Sequence, residues 1–346
     1  MIAERLAAFV AAARSTLEIA LYDFDLSPRL ATRVVDALED GRRRGVAVRL
    51  VYNVDHDRPI PVPPPPHSGA PLIAACGFPA RSVPGVPDLM HHKYVVRDGH
   101  TVWTGSTNWT DDSWSREENV IIVVESEAVG ASYQRDFEEL WSTQTVAGSG
   151  GFDPEPDTVA GARVQPWFSP GRGERVAHRI STAFGRAERR IRIASPVLTS
   201  GPILGTLAEV TAGGVVDVAG VVDGTQMNEV HGQWLADNRA TWKIPALTSV
   251  LSRAPFAGKV STPYGPGTVH DYMHAKIAVA DHIVFVGSYN LSHSGEENAE
   301  NVLEIADPDL ADRMAIFVDE IRARYPAFGA SELASPRRNS EQEGNT

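Results

Sequence analysis

Cysteine is nearly absent from this chain. Cys76 is the only one in 346 residues, so no intrachain disulfide can staple the fold and nothing marks an oxidising compartment. Long apolar runs are also missing. None approaches the roughly 18 to 20 residues that a membrane-crossing helix needs, which leaves a soluble or at most membrane-peripheral protein. Positive charge is in deficit: 32 Lys and Arg stand against 44 Asp and Glu, a formal net charge of -12. A polyanion would be repelled by the average surface and would need a local basic groove, which disfavours nucleic acid as a partner. Near the N-terminus, Leu6 to Ala13 lacks the flanks of an export signal, since Glu4 precedes it and Arg14 closes it. Ile2, Leu6, Phe9, Val10 and Ala13 follow helical spacing instead, which suits an amphipathic helix on a core. A cytoplasmic monomer, peripheral to a membrane if it meets one, is the expectation, with export left open.

What is present is a globular composition, 42% hydrophobic and 22% charged, on a chain long enough for two domains or one duplicated unit. The order of elements repeats. In the first half a helix from Ile2 to Ala13 precedes a buried strand, Leu17 to Tyr22, then a helix around Pro28 to Arg44 and a strand from Val46 to Tyr52. In the second, a helix around Glu174 to Arg186 precedes Ile191 to Ala194, then Pro202 to Thr211 and Val215 to Val222. Alternating strands and helices imply an α/β fold, each half a mixed, mostly parallel sheet flanked by helices. The expected division is a first lobe at 1–147, a Gly- and Pro-rich linker at 148–161, a second lobe at 162–332 and a disordered polar tail at 333–346. Between the repeated elements and the motifs described next, each half carries an irregular stretch. The first holds Pro61 and Pro63 to Pro66, a stiff polyproline-like loop; the second runs from Gly224 to Asp271.

Two motifs carry the chemistry. The first half has Met90-His91-His92-Lys93 with Asp98 seven residues after His91, then Gly105-Ser106-Thr107-Asn108. The second has Met273-His274-Ala275-Lys276 with Asp281 seven residues after His274, then Gly287-Ser288-Tyr289-Asn290. Glu118-Asn119 and Glu300-Asn301 follow, each Asn fourteen residues past its glycine. If His-x-Lys is a strand, its imidazole and ammonium project from one face. Gly then allows a tight turn, and Ser and Asn supply donors for an anion. Two such sets facing each other would surround a phosphate with Lys93, Lys276, Ser106, Ser288, Asn108 and Asn290, stabilising the added charge of a pentacoordinate phosphorus. Two histidines divide the work: one attacks phosphorus and the other protonates the leaving alcohol, then deprotonates the acceptor. Glu118 and Glu300 are the carboxylates expected to hold the ring N–H groups, with Asp98 and Asp281 as further orienting or structural groups.

Such chemistry needs no metal or cofactor. Neighbouring strand residues His91 and His92 diverge, and no Cys or carboxylate set completes a metal site. His92 is expected to be a packed histidine, and Trp109, Trp114, Trp234 and Trp242 core aromatics.

The duplicated His-x-Lys-x4-Asp followed by Gly-Ser-x-Asn resembles the phospholipase D superfamily, over nearly the whole chain. That resemblance implies a bilobal pseudo-dimer related by a pseudo-two-fold axis, with one site at the lobe interface and a phosphohistidine intermediate. His91 would be the nucleophile and His274 the acid and base. It also implies a phosphodiesterase acting on a phospholipid, with a metal-independent nuclease or a phosphatidyltransferase of the cardiolipin synthase kind as alternatives. Two departures stand out. Arg116 occupies the place of Asn298, and nothing ahead of Ile2 matches Phe168-Ser169-Pro170, so the first lobe is expected to begin late and lack an edge strand.

Overall fold

The computed structural model describes residues 1–54, 69–238, 240–263 and 268–333. The proline run and the polar tail lie outside them. The first lobe comprises α1 (Ile2–Ala11), β1 (Thr16–Leu21), β2 (Phe24–Asp25), α2 (Pro28–Arg43), β3 (Ala47–Val54), α3 (Ala70–Ala75) and β4 (Ala80–Pro84), then β5 (Lys93–Arg97), β6 (Thr101–Gly105), β7 (Trp109–Thr110), α4 (Asp111–Ser115), β8 (Ile121–Glu125) and α5 (Glu127–Thr143). The second comprises β9 (Asp157–Val159), β10 (Ala162–Ser169), α6 (Gly173–Gly185), β11 (Arg190–Ala194), α7 (Gly201–Gly213), β12 (Asp217–Asp223), α8 (Gly224–Asp237), α9 (Ile244–Arg253), β13 (Phe256–Lys259), β14 (Ile277–Ala280), β15 (Ile283–Gly287), α10 (His293–Glu297), β16 (Glu300–Ala306) and α11 (Pro308–Arg322).

The two main sheets repeat one plan. Strand order is β4-β3-β1-β5-β6-β8 in the first lobe and β13-β12-β11-β14-β15-β16-β10-β9 in the second. Both sheets are mixed, but the balance differs from a mostly parallel expectation. Within these two sheets only β1, β3 and β4, and their counterparts β11, β12 and β13, pair in parallel, and the other pairings are antiparallel; β2 and β7 form a separate small parallel pair. The reason is local. Helices α2 and α7 return the chain for parallel pairing, whereas the short turns at Asp98 and Asp281 force the motif strands to double back. Strand β9 lies in the stretch expected to be linker, and it extends the second sheet beside β10. The first sheet, among the described residues, has no counterpart of β10 and ends at β8.

The stretch from Gly224 is not irregular: it forms α8, α9 and β13. Asp223 caps α8 by accepting from the Gln226 N–H at 3.0 Å, a start signal that its apolar spacing alone did not give. The lobes share one core. Val51, Tyr94, Val96 and Val124 of the first lobe belong to the same buried cluster as Val164, Ile277, Val284 and Leu303 of the second. Full burial of each such side chain contributes roughly 1.5–3 kcal/mol, so the lobes are held in a fixed relation.

Candidate active site

Both motif histidines lie just ahead of their strands, where the main chain pairs across to the opposite lobe. The His91 N–H donates to the Ala299 carbonyl at 2.9 Å, and the His274 N–H to the Glu118 carbonyl at 3.1 Å. Parallel bridges join Met90 to Ala299 and Met273 to Glu118. Each lysine folds back onto its own histidine: Lys93 Nζ donates to the His91 carbonyl at 2.6 Å, and Lys276 Nζ to that of His274 at 2.7 Å. Two buried lysine Nζ groups thus sit directly behind the two imidazoles, of which His91 is buried and His274 half-buried.

The histidines are oriented across the interface, by different groups. His91 Nδ1 lies 2.7 Å from Glu300 Oε1. His274 Nδ1 lies 3.0 Å from Asn119 Oδ1, with Glu117 Oε2 at 3.4 Å. Glu118, expected in that role, instead meets Lys259 Nζ at 2.8 Å and the Tyr325 hydroxyl. The equal count from glycine therefore misaligns the halves by one residue. Ser106 N–H donates to Val120 O, and Ser288 N–H donates to Asn301 O, at 3.0 Å in both. A Cβ on Gly105 or Gly287 would stand 2.1 Å from those same two carbonyls. Val120 thus matches Asn301, Asn119 matches Glu300 and Glu117 matches Asn298. The extra residue falls at Arg116, just past α4 and paired with Asp112 on the surface. Both halves keep an Asn and a carboxylate two apart, in opposite order.

Ser106 and Ser288 serve these orienting groups. Ser106 Oγ donates to Asn119 Oδ1 at 2.7 Å and accepts from the Val120 N–H, and Ser288 Oγ accepts from the Asn301 N–H at 3.0 Å. Asn108 and Asn290 line the cavity, and the Oδ1 of each finds no hydrogen-bond partner among the described residues. Asp98 and Asp281 do not touch either histidine. At positive φ in the turns after β5 and β14, Asp98 accepts from the N–H groups of Arg14, Ser15 and Thr16, and Asp281 from those of Glu188, Arg189 and Arg190. Burial would raise both carboxyls, but these donors outweigh it and hold them below their ordinary value. Both clamp the entry to the first strand of their lobe.

His92 is fully buried, its ring between Asp136 Oδ2 at 3.0 Å and Asn301 Nδ2 at 3.1 Å. Trp109 and Trp234 are buried and Trp114 is half-buried, but Trp242 is 66% exposed on the α8–α9 connection and is no core residue.

Charge is concentrated where water is scarce. Burial, then Lys93 and Lys276, lowers the His91 imidazole well below its ordinary value, and burial, then Lys276 and Lys93, does the same at His274. Burial lowers Lys93 well below the usual range and takes Lys276 to about 7; it also raises the Glu300 carboxyl, while Lys93 and Lys276 pull that group back toward the carboxylate. Burial likewise raises Glu117. A cage whose cations and carboxyls are all held away from their solution values is poised to receive an anion. Among the described residues, no three or more His, Cys, Asp or Glu side chains cluster as a metal site. No helix among them is long and apolar enough to cross a membrane.

Above the histidines opens a cavity of about 280 Å³. One face of α8 forms a wall through Thr225, Gln226, Glu229 and Gln233, and Tyr22 stacks edge-on against His91 with centroids 4.6 Å apart. Sequence reasoning missed Asn119, Glu117, Tyr22 and the α8 wall. The Asn-x-Glu of the second half, sought in reverse order in the first, was the signal that could have found Glu117 and Asn119.

Two facing sets of His, Lys, Gly-Ser-x-Asn and an orienting Asn/Glu pair, one per lobe, define a duplicated phosphodiester-type site. The profile of the family described as "Cardiolipin synthase, PLD-like domain" matches residues 6–141 and 180–321, and the chain belongs to that family, within the phospholipase D superfamily. It is 33% identical over 129 residues to the mitochondrial cardiolipin hydrolase of Xenopus laevis, covering 37% of this chain and 56% of that protein. It is 28% identical over 171 residues to the human mitochondrial cardiolipin hydrolase, covering 47% and 63%. The match thus spans little more than half the length of these relatives. Phosphatidylserine synthase from Haemophilus influenzae Rd KW20 shares the fold, with a TM-score of 0.66 at 12% identity over 96% of this chain and 87% of that one.

Proposed function

We propose that this chain is a phosphodiesterase of the phospholipase D type that hydrolyses a phospholipid through a covalent phosphohistidine. The observation that carries the reading is the His91–Glu300 pair at 2.7 Å. With Nδ1–H held by a carboxylate, Nε2 of a neutral imidazole is the free nucleophile. Nε2 attacks phosphorus, the P–O bond to the alcohol breaks, and His274, entering the step as the imidazolium with the bound phosphate as its counter-ion, gives its Nε2 proton to the leaving alcohol oxygen and becomes neutral. The same imidazole then takes a proton from water, whose oxygen displaces His91 from phosphorus. Glu300 balances the positive phospho-imidazole, which is why the nucleophile is assigned to the histidine with the carboxylate partner. His274, held by the neutral Asn119 amide, exchanges its proton more readily. Lys93, Lys276, Asn108 and Asn290 stabilise the equatorial oxygens. An alcohol in place of water would make the reaction a transfer. The phospholipid assignment draws support from the net acidic surface and from the lipid named in the relatives' descriptions.

The test is turnover by the purified protein, with chelator present, on phosphatidylcholine, phosphatidylglycerol, single-stranded DNA and an aryl phosphodiester. Lipid hydrolysis, lost by a factor of roughly 10³ or more in both His91→Ala and His274→Ala, is expected. Full activity in either variant overturns the shared site, and cleavage of DNA alone overturns the lipid assignment.

A further inference from the structure

Consecutive residues of an extended chain project to opposite sides, and both partners of the His91–Glu300 contact have a neighbour facing into the core. There His92 meets Asn301, whose Nδ2 donates to His92 Nδ1 at 3.1 Å. Asn301 is fully buried and its amide is saturated. Nδ2 also donates to Ser288 Oγ at 3.3 Å, and Oδ1 accepts from the Thr104 hydroxyl at 2.7 Å and the Tyr133 hydroxyl at 3.0 Å, which uses both donors and both lone pairs. Because His92 Nδ1 accepts, its ring proton sits on Nε2, 3.0 Å from Asp136 Oδ2, which also accepts from the Tyr94 hydroxyl at 2.9 Å. First-lobe side chains thus grip one second-lobe amide. The other half has nothing of the kind: the places equivalent to His92, Asn301 and Thr104 hold Ala275, Val120 and Val286, all buried and apolar. An apolar contact is therefore enough to join the lobes there, and the polar one calls for another reason. A satisfied buried network gives rigidity and one defined geometry more than it gives stability.

We propose that His92, Tyr133, Thr104 and Asp136 are positioning residues for His91: by locking the Asn301 amide they fix the start of β16, and with it the Glu300 carboxylate against His91 Nδ1. The inference rests on the phosphodiesterase reading and on His91 as nucleophile. Its one-sidedness fits that division of labour. A nucleophile has to hold one tautomer and one angle of attack through both steps, and here its carboxylate is anchored by a neighbour with no unused hydrogen bond. The acid and base needs less constraint, and Asn119 beside His274 is followed by Val120, which makes no side-chain hydrogen bond. His92 is thus a packed histidine with a task, passed on through Asn301 to the residue beside it.

The experiment reads kcat and KM on an aryl phosphodiester together with the His91 Nδ1–H proton resonance in protein carrying isotope-labelled histidine. His92→Leu should lower kcat by roughly 10²-fold with KM little changed, the loss that a misplaced reacting group brings, and should shift or broaden the His91 resonance. His92→Asn, whose Oδ1 stands where Nδ1 stood, should restore most of kcat and the resonance. Tyr133→Phe removes one hydroxyl alone and gives a smaller loss of the same kind, which keeps the test open where His92→Leu does not fold. Native kcat and an unmoved resonance in these folded variants overturn the positioning role and leave the phosphodiesterase reading standing. A loss of kcat that His92→Asn does not recover, or that leaves the His91 resonance in place, marks a merely structural role and overturns it equally. Absence of turnover in the native protein overturns the phosphodiesterase reading instead, and the resonance alone then shows whether Asn301 and its partners hold His91.

Discussion

Glu300 reaches His91 from 209 residues away in the other lobe, its Oε1 2.7 Å from Nδ1, and neither side chain is more than marginally exposed. Each lobe by itself therefore holds an unoriented histidine. The first prediction follows from the tautomer this contact fixes. Glu300→Gln keeps the shape but removes the charge, and it should lower kcat on an aryl phosphodiester by roughly 10²- to 10⁴-fold with little change in KM. Measurement of both constants, with a melting curve to confirm folding, checks it.

A second prediction separates Asn119 from Glu118. If the lobes align by the main-chain bonds rather than by counting from glycine, Asn119→Ala loses activity by at least about tenfold through His274. Glu118→Gln mainly loses stability, roughly 1–3 kcal/mol, because Lys259 keeps only carbonyl partners. Urea denaturation and steady-state kinetics on both variants decide between the alignments.

The third concerns pH. Lys276 has a folded value near 7, depressed from 10.5 by burial. Between these values the unfolded chain holds a proton that the folded chain has released, so this residue's contribution to stability grows as pH rises from about 7 to 10.5 and is lost as pH falls through 7. The melting temperature of the native protein relative to Lys276→Met should accordingly climb between pH 7 and 10. The affinity for vanadate, a tetrahedral anion, should move the other way, weakening as pH rises through 7 and the ammonium discharges. Calorimetry and vanadate titration across that range give both slopes.

Much of this was legible in the sequence because it depends on repetition: His91 and His274, Lys93 and Lys276, and the two Gly-Ser-x-Asn turns sit at matched positions, and the duplicated fold follows from them. The alignment past the glycines was not legible. Arg116 adds one residue at an exposed helix end, where nothing in the spacing marks an insertion, and the coincidence of Glu118-Asn119 with Glu300-Asn301 pointed to the wrong carboxylate. The fate of the serine hydroxyls was equally hidden, since Ser106 and Ser288 face main-chain groups that only the return of β8 and β16 brings near. Asp98 and Asp281 lie five-residue and four-residue strands away from the chemistry, a distance that a linear motif compresses into one signature.

The measurement closest to the central claim is the site of phosphorus attachment. Acid-labile, base-stable phosphorus trapped by rapid quench during turnover should map, by peptide mass spectrometry, to His91, and should vanish in His91→Ala. Attachment to His274, or single-turnover product release with no phosphorus ever bound to the protein, would contradict the account.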